Sequence, residues 1–197
     1  MNYSIYAEST PNPEVMKFVA NRMLADKSIE ISNIKDAKGI SIAEELLKFP
    51  FVKSIYLSAN FISITKIDTI NWENIAMQLR VFILDHLNSN KIKNYTENIN
   101  QQSLDSNNGT KNITNKIKKF NAIEKEINAI LNEYIAPAVE SDGGAITLNY
   151  YKDNIVCVDL KGACSGCPSS TSTLKGGIET LLKQKIDPNI QVIANET

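Results

Sequence analysis

Hydrophobic positions recur along this chain with two different periods, and a long polar stretch separates two such regions. In the first region, Asn2–Ala7 and Val15–Val19 read as strands, with the turn residues Ser9-Thr10-Pro11-Asn12-Pro13 between them. Ile42, Leu46 and Leu47 have helical spacing within 40–47, and Phe49-Pro50 ends that run. Val52–Leu57 and Phe61–Ile67 are rich in β-formers and close together, which predicts a hairpin. Asn71 stands where a helix cap is expected, before apolar positions at Ile75, Leu79, Val81, Phe82, Leu84 and Leu87.

The second region opens on Asn121 with Glu124 three residues on, the signature of a capping box. Ile123, Ile127, Ile130, Leu131, Tyr134 and Ile135 follow as a helical stripe, and Pro137 should kink or end it. Asp142-Gly143-Gly144 reads as a turn. Strands are expected over 145–151 and 155–161, joined at Asp153-Asn154, with Val156, Val158 and Leu160 on one face and Cys157 on the other. Pro168 suits a first helical position, and Leu174, Ile178, Leu181, Leu182 and Ile186 continue at helical spacing. Gly176 and Gly177 are unfavourable inside a helix, so close helix–sheet packing is expected there. A last short strand is expected over 190–193.

Between these regions, residues 91–120 hold seven Asn, two Gln, six Lys and two acids. Such a stretch buries too little apolar surface to offset its conformational entropy. The expected architecture is therefore α+β: two small domains of mixed helix and strand over 1–88 and 121–197, joined by a flexible linker over 89–120. The net charge is −1 over 197 residues, so no global basic field favours nucleic acid. No apolar run is long enough for a membrane helix. The first residues lack the marks of a signal or transit peptide, which leads to the expectation of a cytoplasmic, bacterial protein. His86, beside Asp85, has no second ligand near it in sequence and reads as a capping or surface residue. Trp72 reads as packing.

Three cysteines are too few for a disulfide scaffold, but Cys164-Ser165-Gly166-Cys167 places two of them three residues apart before a helix. Two thiolates at this spacing can grip one soft metal or two irons of a cluster. The positive helix end favours the thiolate and should lower its pKa. Ser165 and Gly166 are small, so their N–H groups can approach sulfur from just outside the ligand set. A zinc site or a four-iron cluster generally takes four protein ligands, and this region offers two. Cys157, within a strand, is a poor third and reads as a small core residue. The missing donors must then come from a second chain or a small thiol, most simply in a symmetric dimer. A half-site shared in this way is exposed and easily dismantled. A dithiol–disulfide oxidoreductase and a zinc-stabilised interaction module use the same spacing.

The linked motifs narrow this further. Pro137-Ala138-Val139-Glu140-Ser141-Asp142-Gly143-Gly144, Leu160-Lys161-Gly162-Ala163-Cys164-Ser165-Gly166-Cys167-Pro168-Ser169-Ser170 and Gly177-Ile178-Glu179 together resemble the C-terminal domain of NifU-like (Nfu) iron–sulfur proteins. Glu8-Ser9-Thr10-Pro11-Asn12-Pro13, Lys17-Phe18 and Phe51-Val52-Lys53-Ser54-Ile55 resemble the N-terminal domain of that family. The resemblance implies a scaffold or carrier, not an enzyme, that holds a [4Fe–4S] cluster between two protomers through Cys164 and Cys167 and delivers it to apo-proteins, with a [2Fe–2S] form left open. It implies upstream cluster-assembly proteins and recipient apo iron–sulfur proteins as partners, and a role for the N-terminal domain in partner recognition.

Overall fold

The computed structural model describes residues 2–89, 120–165 and 168–195. The expected linker lies almost wholly outside them. They divide into two units, residues 2–9 with 14–89 and residues 10–13 with 120–195. Helices and sheets are mixed in both, as expected. None of the described helices is long and apolar enough to cross a membrane.

The first unit is a five-stranded antiparallel sheet with two helices. Its strands are β1 (Ile5–Ser9), β2 (Val15–Ala20), β3 (Ile29–Ile31), β4 (Val52–Ser58) and β5 (Phe61–Lys66), in spatial order β1-β2-β5-β4-β3. The hairpin of β4 and β5 turns through Ala59 at φ 44° and Asn60. Register places Phe18 opposite Ile62 and Ile55 opposite Ile64, and these four join one buried core. The strand at Ile29–Ile31 has no counterpart in the sequence reading. Three residues are too short to display a period.

Helices α1 (Ser41–Leu46) and α2 (Trp72–Asn88) close that core. Asn71 does precede α2, but its side chain makes no cap hydrogen bond. The buried stripe of α2 is Ile75, Leu79, Ile83 and Leu87, at the i, i+4, i+8, i+12 spacing of one helix face. Val81, expected on it, is 45% exposed, whereas Ile83 is 0% exposed. Trp72 does pack, edge-on to Phe18 with ring centroids 6.5 Å apart. His86, in the last turn of α2, is half-buried: its Nε2 lies 2.8 Å from Ser41 Oγ, which ties α2 to the start of α1.

The second unit begins with α3 (Ala122–Ile130), and the capping box is present. Asn121 Oδ1 accepts the Glu124 N–H at 2.8 Å, and Glu124 Oε2 accepts the Asn121 N–H at 2.9 Å. Five residues, Leu131–Ile135, then wind as a π-helical turn into α4 (Ala136–Ser141), where Pro137 sits in the first turn. The wider turn lets the chain pass Pro137 without ending the helical run. Ile127, Ile130 and Leu131 are buried, while Ile123 and Tyr134 are exposed.

Strands β6 (Gly144–Lys152) and β7 (Ile155–Gly162) form an antiparallel hairpin through Asp153 and Asn154, both at positive φ, as a two-residue turn with matching twist requires. The register slips between Leu148 and Tyr150, so Ile146, Leu148 and then Tyr151 pack on the core side. Helix α5 (Pro168–Lys185) crosses over and delivers β8 (Gln191–Asn195) parallel to β7. Ile178 and Leu182 anchor α5 in the core. Gly176 and Gly177 depart from expectation. Both are exposed, and a β-carbon on either would meet nothing within 4 Å, so no close packing explains them.

Candidate functional site

The Cys164 side chain is set by two chain reversals. The first follows α4, where Gly143 at φ 85° lets the chain turn into β6. The second follows β7, where Gly162 at φ 62° starts the loop toward α5. The two meet: the Ala163 N–H donates to the Gly143 carbonyl at 3.2 Å, and Gly144 pairs with Gly162 in the hairpin register. Beyond Cys164 the loop closes on itself. Both the Ser165 N–H (3.1 Å) and its hydroxyl (2.9 Å) donate to the Gly162 carbonyl. Thr171 Oγ1 lies 3.5 Å from the Cys164 carbonyl, joining the loop to the first turns of α5.

Cys164 itself is only 7% exposed and belongs to the core of the second unit. Its thiol pKa is pushed up to about 11, first by burial and then by the charge of Asp142. This reverses the expectation that the helix end would lower it. Burial strips the thiolate of solvation, and the Asp142 carboxylate repels its charge. The exposed, open half-site inferred from sequence is likewise not what Cys164 presents. Cys167 and Gly166, the other two residues of the expected site, lie outside the described residues.

Cys157 faces away from this loop. It is buried at the centre of β7, opposite Tyr150, whose hydroxyl pKa is raised first by the charge of the Cys157 thiolate form and then by desolvation. Among the described residues, no group of three or more His, Cys, Asp or Glu side chains gathers at one point. Asp142 and Gly144 are neighbours of Cys164; the sequence marks both as turn residues and allows Asp142 a hydrogen bond near the cysteine loop, but gives Gly144 no role beyond the turn. Their link to a cysteine 20 or more positions away is a product of the hairpin register.

The chain matches the family described as "Scaffold protein Nfu/NifU N terminal" over residues 5–90 and that described as "NifU-like domain" over residues 127–193. It belongs to the Nfu/NifU family. Two relatives illustrate the match. NifU-like protein 4, mitochondrial, of Arabidopsis thaliana is 29% identical over 181 residues, which cover 90% of this chain and 61% of the relative. The human protein named NFU1 iron-sulfur cluster scaffold homolog, mitochondrial, is 27% identical, with 91% and 66% covered. The chain thus spans under two thirds of the length of these relatives. Their names place them in mitochondria, in contrast to the bacterial cytoplasm expected from sequence. The solution structure of a NifU-like protein from Saccharomyces cerevisiae matches at 26% identity and a TM-score of 0.38, covering 44% of this chain and 79% of that one.

Proposed function

We propose that this chain carries an iron–sulfur cluster, held by Cys164 and Cys167 of two copies in a dimer, and passes it to apo iron–sulfur proteins. The observation that carries the reading is the position of Cys164. It stands at the junction of β7 and α5, three residues before Cys167, within the matched NifU-like region. Thiols are the donors that iron–sulfur clusters use. Two per chain fit a [4Fe–4S] cluster shared between copies.

The cluster is cargo in this reading. Cys164 must give up a proton to bind it, and burial together with Asp142 favours the protonated form. The empty chain therefore has a stable resting state, a neutral thiol packed in the core. Binding must displace that state, which weakens the hold on the cargo and favours its release. Burial makes Cys164 a poor attacking thiol for dithiol–disulfide exchange, which starts from a thiolate. We assign no turnover to the chain. Upstream assembly proteins would load it.

Anaerobic reconstitution with iron and sulfide tests this. The expected product is a dimer with about four irons per two chains and the Mössbauer signature of a [4Fe–4S] cluster. A [2Fe–2S] signature would keep the carrier role and change its cargo. Cys164→Ser and Cys167→Ser should each abolish uptake, and Cys157→Ser should not. Stoichiometric zinc that survives a chelator, with no cluster uptake, would overturn the reading.

A further inference from the structure

Gly144 needs a separate explanation from Gly143. Gly143 has the positive φ of the turn, but Gly144 does not. Its backbone is that of an ordinary strand residue, which any side chain can adopt. What excludes a side chain is space. A β-carbon on Gly144 would lie 2.8 Å from Cys164 Sγ, 2.6 Å from the Lys161 carbonyl oxygen and 3.1 Å from the Cys164 nitrogen. The first two distances are far inside van der Waals contact, and the third is tight. The Gly144–Gly162 pair brings β6 and β7 together where the loop turns back, and Cys164 Sγ fills the space that a side chain on β6 would take.

We propose that Gly144 is a positioning residue for Cys164, and that its missing side chain is the seat in which the thiol rests. The inference rests on the reading of Cys164 as a cluster ligand only for its functional meaning. The steric coupling between the two residues stands apart from it. By keeping the seat open, Gly144 sets where the ligand sulfur lies in the empty chain, and so how far it must move to meet iron.

The test is a double-mutant cycle in the full chain, with Gly144→Ala, Cys164→Ala and the double variant. Urea unfolding is followed through backbone NMR signals of β6 and β7. The Lys161 oxygen is present in every variant, whereas Sγ is removed by Cys164→Ala, so the cycle isolates the sulfur contact. The expected result is that Gly144→Ala destabilises far less when Cys164 is already alanine. In the single Gly144→Ala variant, alkylation of Cys164, resolved from Cys167 by peptide mass spectrometry, should accelerate roughly tenfold as the thiol leaves its seat.

If Gly144→Ala fails to fold and the double variant folds, the proposal holds. If neither folds, or if the two costs simply add, the Lys161 oxygen accounts for Gly144 and the proposal is overturned, whatever the alkylation rate. Iron and sulfide uptake by the wild-type chain is measured in parallel. No uptake there would end the carrier reading while leaving the coupling between Gly144 and Cys164 to be judged on the cycle alone.

Discussion

Glu179 on α5 holds the outer edge of β8: its Oε2 accepts the Val192 backbone N–H at 3.0 Å, while its Oε1 accepts from Lys183 Nζ at 2.7 Å. Strand β8 is the edge of the three-stranded sheet, so the Val192 N–H turned away from β7 would otherwise have no strand partner. One carboxylate thus ties the crossover helix to the strand it delivers.

That arrangement has a pH dependence. The Lys183 hydrogen bond, and then the Val192 N–H, hold the Glu179 carboxyl below its usual pKa. A lowered folded pKa contributes stability that is present above the unfolded value and is lost as pH falls through the folded one. Glu179→Gln should therefore loosen β8 at neutral pH, seen as weaker protection of the Val192 amide in hydrogen exchange at matched pH. The difference from wild type should shrink in acid. An unchanged difference at low pH would show that the charge plays no part.

The Cys164 thiol gives the opposite window. In the unfolded chain it should titrate near 9.0, and in the folded chain near about 11. Between these values the unfolded chain holds fewer protons, so the contribution is full below about 9 and falls as pH rises toward 11. The metal-free wild type should lose stability across this window, and Cys164→Ser should lose less. Because burial is the larger cause, Asp142→Asn should lower the thiol titration only part of the way to 9.0. A return to the full unfolded value would show that the Asp142 charge outweighs burial. Thiolate absorbance, taken as the difference between each chain and its Cys164→Ser counterpart, reads both outcomes.

Gly176 and Gly177 should be replaceable. Neither has positive φ, and a methyl group on either would point into open space. Alanine at each position should stabilise the second unit by about 1 kcal/mol, the difference between the two residues inside a helix. Urea unfolding followed through NMR signals of α5 checks this. A loss of stability would show that the exposed strip is packed in solution.

Local features were the legible ones. The capping box of Asn121 and Glu124, the Asp153-Asn154 turn and the pairing of β4 with β5 are each written in residues close together in sequence, and each is present. The same holds for the Cys164 loop as a strand–helix junction. What the sequence did not reveal depends on distant residues meeting. Asp142-Gly143-Gly144 reads as one turn, yet only Gly143 needs the backbone freedom of glycine, whereas a side chain on Gly144 would collide with Lys161 and Cys164, 17 and 20 positions on. The raised thiol pKa of Cys164 has the same origin, since the helix end is visible in the spacing but the burial is not. The π-helical turn at Leu131–Ile135 has no signature of its own, and the pattern of apolar residues there fits an ordinary helix equally well.

Helix α2 separates two residues that look alike in sequence. Val81 and Ile83 are both β-branched, and only the phase of the helix decides which one is core. Ile83 is 0% exposed and lies in line with Ile75, Leu79 and Leu87, whereas Val81 is 45% exposed on the far side. Ile83→Ala removes buried methyl groups and leaves a cavity against the sheet, so it should cost about 2–5 kcal/mol. Val81→Ala removes little buried area and should change stability by no more than about 0.5 kcal/mol. Urea unfolding of the full chain, followed through NMR signals of β2 and β5, measures both. Comparable costs would mean that Val81 is covered in solution, and a small cost at Ile83 would mean that the core closes around the gap.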